Sequence, residues 1–472
     1  MTDPQPVAEE FDVIVIGGGP AGENVAGRCA EGGLQTVLVE RELVGGECSY
    51  WACMPSKALL RPGEALASVR RVPGAREAVT GEIDVTEALA RRTAVASGWD
   101  DRFQVQWLED AKVSLVRGHA RMLGKRQVEV ETEAGDVKLR ARRAVVVATG
   151  SSAAPPPVRG LAETRLWDNR DATEATEVPD RLLVLGGGPV GCELAQAWRR
   201  LGSRKVTIVE GGPRLIPREE PFAGEELKAA FAAEGILVYT GATAIRVRRE
   251  ADDAPVTAVL HSGQSVTADE MLVAVGRTPN THDLGMETVG LKPGANIDVD
   301  DQLRAKSVAG DWLYAVGDVT GRSLLTHMGK YQARLAADHI LGRPAEAWAD
   351  RTALPRVIFT DPQIAAVGLT ERQAQEEGIE ARVIACPTDS VAGSTVRGEG
   401  MSGTCQVIVD HHRGVIIGAT FTGSEVAELL HAATVAIVGE VPMERLRHAV
   451  PSYPTVSEVW LKLVEGYLSA SG

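Results

Sequence analysis

The sequence predicts an α/β protein with two βαβ nucleotide-binding domains and a separate C-terminal α+β domain. Three observations carry this. The segment FDVIVIGGGPAG (Phe11–Gly22) is an apolar strand running into a glycine-rich turn, with a helix to about Gly32 and a strand TVLVE ending at Glu40. The same pattern returns at RLLVLGGGPVGCELAQAWRRLG (Arg181–Gly202), followed by VTIVE ending at Glu210. Two such Rossmann-like units, about 170 residues apart, indicate two dinucleotide-binding domains in one chain. From Leu354 the texture changes. VIFTDPQIAAVGLT, TCQVIVDHHRGVIIGATFTG and the helical EVAELLHAATVAIV read as an α+β domain with an antiparallel sheet.

Length agrees with this division, since 472 residues exceed one ordinary domain and two to four are expected. Between Val113 and Val147, alternating stretches such as QVEVETEAG read as a β meander that closes the first domain. SSAAPPPVRG reads as a linker, the second domain ends near DEMLVAVGRTPN, and WLYAVGDVTG is a strand ending at a Gly-Asp turn before a helix. The formal net charge of −14 argues against a nucleic-acid binder, which needs a basic patch. No run of about 18 uncharged apolar residues occurs, so no membrane helix is expected. The acidic start MTDPQPVAEEFD has no apolar signal core, and the protein reads as cytoplasmic and soluble.

In the first unit, Gly17, Gly19 and Gly22 form a G-x-G-x-x-G turn. The first glycine makes the tight turn, the second lets backbone approach a pyrophosphate, and the third lets helix and strand pack. The helix N-terminus adds N–H donors and a dipole favourable to phosphate. Glu40, 18 residues after Gly22 at a strand end, is placed to accept from a ribose hydroxyl. A lone motif of this kind is weak, but strand, helix and acid are all in register. Gly186, Gly188 and Gly191 repeat the arrangement, with Glu210 19 residues on. A carboxylate there binds the free 2′-hydroxyl of NAD and repels the 2′-phosphate of NADP. Arg204, Lys205 and Arg214 lie close enough in sequence to soften that preference; a solvated face is the blander reading of all three.

Six cysteines do not make a disulfide scaffold. Cys29, Cys192, Cys386 and Cys405 are scattered and read as small apolar side chains. Cys48 and Cys53 stand apart in GGECSYWACMPSK (Gly45–Lys57). Residues five apart on an ideal helix rise about 7.5 Å, slightly too far for a disulfide, so the loop must distort, and Gly45 and Gly46 permit that. Pro55 suits the first turn of a following helix, whose N-terminus favours a thiolate. A redox-active pair is the leading reading; a metal site, which lacks further ligands nearby, and two incidental thiols are the alternatives.

This segment resembles the active-site stretch of the class I pyridine-nucleotide–disulfide oxidoreductases, whose usual form is roughly GGTCxNxGCxPSK. The resemblance extends along nearly the whole chain through the two glycine motifs, ATG (Ala148–Gly150), GRTPN (Gly276–Asn280), AVGDVTG (Ala315–Gly321) and FTDPQIAAVGLTE (Phe359–Glu371). It implies FAD on the first βαβ unit and NADH or NADPH on the second. It divides the chain into an FAD domain (1–150), an NAD(P) domain (151–280), a return segment completing the FAD domain (281–349) and a dimerisation domain (350–472). It makes Cys53 the thiol facing the flavin and Cys48 the one that attacks substrate. It pairs Lys57 with Glu193 near the flavin N5 and the nicotinamide, and sets Asp318 on the FAD ribityl–pyrophosphate region. Gly46, Thr149, Gly150, Gly276 and His327 join the cofactor-binding set. A homodimer follows, each subunit supplying catalytic residues to the other.

The departures bear on the substrate. Disulfide reductases of this family carry HxHPTxxE near the C-terminus, where the second His and the Glu form an acid–base pair. Here the stretch reads PSYPTVSE (Pro451–Glu458), with Tyr453 in the His position and Glu458 retained; His448 lies five residues upstream. A Tyr there resembles mercuric reductase, yet the sequence ends YLSASG, and neither that enzyme's C-terminal cysteine pair nor its extra N-terminal metal-binding domain is expected. Glu47, Tyr50 and Trp51 also differ from the usual loop. The expectation is an NADH-preferring FAD oxidoreductase that works through Cys48 and Cys53 on a small-molecule disulfide. A quinone or metal-ion acceptor is the alternative, and a redox-sensing flavoprotein another.

Overall fold

A computed structural model of the chain describes residues 8–469; the first seven residues of the acidic start and the last three of YLSASG lie outside the described residues. The chain divides into two compact units. One takes residues up to Pro55, Thr93–Ala154 and Gly276–Asp350, and the other Ser56–Arg92, Pro155–Val275 and the chain from Arg351.

The first unit is built on a seven-stranded sheet. Its order is Ser114–Arg117, Thr36–Glu40, Glu9–Ile16, Gly135–Val147, Gln127–Thr132, His119–Gly124, and Leu313–Ala315 also pairs with Gly135–Val147. The strands flanking Glu9–Ile16 run parallel to it, as βαβ crossovers require, and the meander strands pair antiparallel. Val13, Ile14, Val15, Val37 and Leu38 are fully buried, because a parallel strand is covered on both faces. The helices Pro20–Glu31 and Thr326–Ile340 pack together over this sheet. At Gly329 a Cβ would lie 3.4 Å from the Ala21 Cβ, in van der Waals contact between the two helices.

The second unit holds a four-stranded parallel sheet in the order Leu237–Thr240, Lys205–Glu210, Arg181–Leu185, Glu270–Val273. An antiparallel three-stranded sheet, Ala244–Arg248, Val256–Leu260 and Ser265–Ala268, accompanies it. A five-stranded antiparallel sheet follows in the order Arg356–Ile358, Gln363–Gly368, Val415–Gly423, Thr404–Asp410, Ala381–Pro387, which is the α+β texture expected after Leu354. A partly buried polar cluster ties this sheet to the helix Pro189–Leu201. Arg200 pairs with Glu234 at 2.6 Å and with Asp361 at 2.9 Å, Arg71 pairs with Asp361 at 2.7 Å, and the buried Gln196 exchanges two hydrogen bonds with the Asp361 backbone. Charges this far from water persist only when paired in this way. No helix among the described residues is long and apolar enough to cross a membrane.

Candidate active site

Each glycine of the first turn has a separate reason to be glycine. Gly17 sits at φ +103°, and a Cβ there would meet the Ala148 carbonyl oxygen at 2.5 Å. A Cβ on Gly22 would lie 1.9 Å from the Gly17 carbonyl oxygen, so helix and strand touch through backbone. Gly19 caps the helix Pro20–Glu31 with no side-chain cap, and a Cβ there would enter open space. That leaves unshielded N–H donors facing room for a diphosphate, the fit a dinucleotide needs. Glu40 accepts from Gly18 N–H at 2.6 Å and from Glu42 N–H at 2.7 Å. Burial pushes its carboxyl up, and those N–H groups oppose the push.

The second turn repeats the first. Gly186 has φ +108° with the Ala274 oxygen 2.4 Å from a Cβ, Gly191 would place a Cβ 2.0 Å from the Gly186 oxygen, and Gly188 opens to free space. Glu210 accepts from Gly187 N–H at 2.6 Å and Gly212 N–H at 2.5 Å. Neighbouring cations are engaged elsewhere. Arg204 is bound to Asp180, and Arg214 donates to the Pro217 and Glu219 carbonyls at 3.1 Å. Lys205 opens the strand that Glu210 ends.

The cysteine segment docks on the first glycine turn. Gly45 N–H donates to the Gly18 carbonyl at 2.8 Å, and Gly46, at φ +56°, would bring a Cβ within 2.8 Å of the Gly19 Cα. Both positions need a left-handed backbone, which explains the Gly pair. Cys48 lies in the short helix Gly46–Tyr50 and Cys53 opens the helix Cys53–Arg70. The distortion expected between them is this break of two residues. Both are thiols in mutual hydrogen-bond contact. The neighbouring Cys53 and then burial push the Cys48 thiol up, while the Thr326 hydroxyl and the Lys330 charge pull it down. Cys53 Sγ lies 3.2 Å from Thr326 Oγ1, at the first residue of the helix Thr326–Ile340. The positive end of a helix dipole beside sulfur favours negative charge there. Tyr50 is buried and donates to the Val44 carbonyl at 3.0 Å, and Trp51 is buried too, so this bulky pair holds the loop.

Asp318 accepts from the Ser151 hydroxyl at 2.6 Å and lies 4.0 Å from Arg277, which also reaches Glu47 at 3.6 Å. Burial pushes its carboxyl up; Ser151 and Arg277 oppose that. Thr149 donates to the Asn280 carbonyl at 2.7 Å, fastening ATG to GRTPN, and Gly150 and Gly276 border open space. His327 follows Thr326 and is exposed. In the second unit Lys57 Nζ lies 2.7 Å from Glu193, whose side chain is only 6% exposed. Phe359 N–H donates to the other Glu193 oxygen at 2.9 Å, and Lys57 stands 4.9 Å from the centre of the Phe359 ring.

Tyr453 and Glu458 are not joined within the chain. Tyr453 is 78% exposed, His448 is also exposed, and Glu458 Oε2 is buried with no hydrogen-bond partner among the described residues. Sequence reasoning missed Thr326, Ser151, Arg277 and Phe359. All four had a signal: Thr326 and Ser151 stand directly beside His327 and Gly150, and Arg277 and Phe359 lie inside GRTPN and FTDPQIAAVGLTE.

Two glycine-cornered nucleotide turns, one carrying a docked dithiol, define a dithiol-bearing nucleotide-dependent oxidoreductase. Residues 11–335 match the family model Pyridine nucleotide-disulphide oxidoreductase, and residues 354–464 match that family's dimerisation domain. The chain belongs to the pyridine nucleotide-disulphide oxidoreductase family, in its class I branch of FAD-dependent enzymes that use NADH or NADPH. It is 34% identical to dihydrolipoyl dehydrogenase 3 of Pseudomonas aeruginosa, covering 95% of this chain and 96% of that one. It is 30% identical to mercuric reductase of Staphylococcus aureus, covering 95% and 81%. The solved structure of LpdA from Mycobacterium tuberculosis matches with a TM-score of 0.85 at 26% identity, over 98% of this chain and 100% of that one. The Escherichia coli flavoprotein disulfide reductase RclA in its Cu(II) complex shares the fold, with a TM-score of 0.85 at 24% identity over 97% and 99%.

Gly22→Val should abolish flavin retention, because its side chain would displace the helix from the turn. The check is the ratio of flavin to protein absorbance after purification; a variant as yellow as wild type would remove Gly22 from the cofactor site.

Proposed function

We propose that this chain is an NADH-dependent FAD oxidoreductase that delivers electrons through Cys48 and Cys53 to a small-molecule disulfide. The observation carrying it is the dithiol docked on the first glycine turn, with Cys53 Sγ 3.2 Å from the helix-initiating Thr326. FAD held at the Gly17–Gly22 turn would supply the two-electron chemistry that links a reduced nicotinamide to the cysteine pair. The chain's own residues then divide the work. Cys53 holds negative charge against the helix end, and Cys48, held up as a thiol, attacks the acceptor once deprotonated. Glu193 keeps the Lys57 ammonium in place. The dimerisation domain supports a homodimer in which Tyr453 and Glu458 serve the cysteine pair of the partner subunit.

Tyr453 favours a second reading, in which the acceptor is a quinone or a metal ion. Phenols titrate near pH ~10 and imidazoles near ~6.5, so a Tyr donates a hydrogen bond at neutral pH and rarely accepts a proton. Thiol–disulfide exchange loses its best-matched proton carrier when His is replaced. The deciding experiment is NADH oxidation with lipoamide, glutathione disulfide, other low-molecular-weight disulfides, quinones and Hg(II). Turnover that needs both cysteines and is fastest with a disulfide supports the first reading. Turnover fastest with quinones, and indifferent to Cys48→Ser, overturns it.

NADH should be preferred to NADPH by roughly 10²-fold in kcat/KM, equivalent to about 3 kcal/mol, because on this reading the Glu210 carboxylate would meet the 2′-position and Arg204 and Arg214 are engaged elsewhere. Equal kcat/KM for the two nucleotides contradicts this. In the reduced enzyme, Cys53→Ser should abolish the long-wavelength thiolate–flavin absorbance, whereas Cys48→Ser should keep it. Loss in the Cys48 variant alone reverses the two roles. Tyr453→Phe should slow the acceptor half-reaction and leave flavin reduction by NADH within about twofold. Stopped-flow separation of the half-reactions reads this, and two unchanged rates make Tyr453 a packing residue.

A further inference from the structure

Two cysteines outside this site face each other across a sheet. Cys386 lies on the edge strand Ala381–Pro387, and its direct register partner on the antiparallel strand Thr404–Asp410 is Cys405. No register shift interrupts the pairing. Residues directly opposite in an antiparallel ladder have Cα atoms about 4.5–5.5 Å apart and side chains on one face. A disulfide spans Cα separations of about 4.4–6.8 Å, so directly opposed residues of this ladder fall within its reach. Cys386 is partly exposed and Cys405 fully buried, which leaves one thiol open to a small reagent and the other behind it.

We propose that Cys386 and Cys405 are a second redox-active dithiol, which low-molecular-weight disulfides convert to a cross-strand disulfide fastening the edge strand to its neighbour. The Cys386 thiolate attacks one sulfur of R–S–S–R and releases one R–SH. The Cys405 thiolate then attacks Cys386 Sγ in the mixed disulfide and releases the second R–SH. The pair loses two electrons and two protons, and one R–S–S–R becomes two R–SH. Burial pushes Cys386 up to about 11 and Cys405 up to about 12. Thiols that ionise so reluctantly react slowly, but they are also poor leaving groups, so the bond once formed resists reduction. This is opposite to a fast catalytic dithiol and suits a slow latch. The bond replaces two existing contacts: Cys386 Sγ with the Val459 carbonyl at 4.0 Å, directly after Glu458, and Cys405 Sγ with Thr388 Oγ1 at 3.4 Å.

The test uses wild-type holoenzyme incubated with 2-hydroxyethyl disulfide, alkylated, and digested with trypsin without reductant. Cleavage after Arg382, Arg397 and Arg413 places the two cysteines in separate peptides, Val383–Arg397 and Gly398–Arg413, while Cys48 and Cys53 share Glu42–Lys57. Mass spectrometry should find the first two peptides joined, two hydrogens lighter than their sum. They should separate on reduction, and Cys386→Ser should lack the joined species. If Cys48 and Cys53 are oxidised in the same digest while Cys386 and Cys405 are alkylated singly, or Cys386 carries only the mixed disulfide, the proposal is overturned.

Discussion

Everything in the nucleotide-binding architecture hangs on one close approach, that of a helix N-terminus to the strand end before it. At Gly22 and Gly191 the room between a would-be Cβ and a carbonyl oxygen is 1.9 and 2.0 Å, less than any side chain can occupy. Only backbone-to-backbone contact brings the first N–H groups of the helix to the strand end, where they face open space at Gly19 and Gly188. The same turn then serves as a platform. Its Gly18 carbonyl receives Gly45 N–H, and its Gly19 backbone lies against Gly46, so the dithiol inherits its position from the phosphate-binding turn. A displaced helix would cost cofactor affinity and cysteine placement together.

Charge is managed by the same economy in both units. Glu40 and Glu210 each spend one oxygen on the glycine turn and the other on an N–H two residues on. A carboxylate has about four lone-pair sites, so capacity remains for ribose hydroxyls. The acid therefore stiffens the turn, and in the proposed function it has a second duty, to read the ribose. Glu193 follows another rule. It is almost wholly buried, and it is tolerated because Lys57 and the Phe359 N–H satisfy both its oxygens.

Local pattern made the framework legible. Each βαβ unit declares itself within about thirty residues through apolar strand, glycine spacing and terminal acid. The antiparallel C-terminal sheet was visible for the same reason, through short apolar stretches such as TCQVIVD, which forms the strand Thr404–Asp410. The site's finishing contacts were not. Thr326 meets Cys53 across 273 residues, Ser151 meets Asp318 across 167, and Phe359 meets Glu193 across 166. No periodicity spans such distances, and only the folded sheet order brings these residues together. The register of Cys386 with Cys405 was hidden similarly, since a strand pairing cannot be counted from one strand alone.

Tyr453 and Glu458 mark the limit of what one chain can supply. Sequence spacing made them neighbours, yet Tyr453 stands in solvent and no hydrogen bond joins the two. A buried oxygen without a donor costs about 1–3 kcal/mol, which a fold rarely bears without return. An exposed aromatic side chain beside the exposed Val450 has the character of a surface meant to be covered. Both features lie in the segment matched by the dimerisation domain, so a second subunit is the natural source of cover and donor alike. In the proposed function, proton handling at the acceptor is then a property of the assembled dimer. If Tyr453 serves the acceptor as proposed, a phenol there donates a hydrogen bond at neutral pH but hardly accepts a proton, which is the reason that reading weighs against acceptors needing a base.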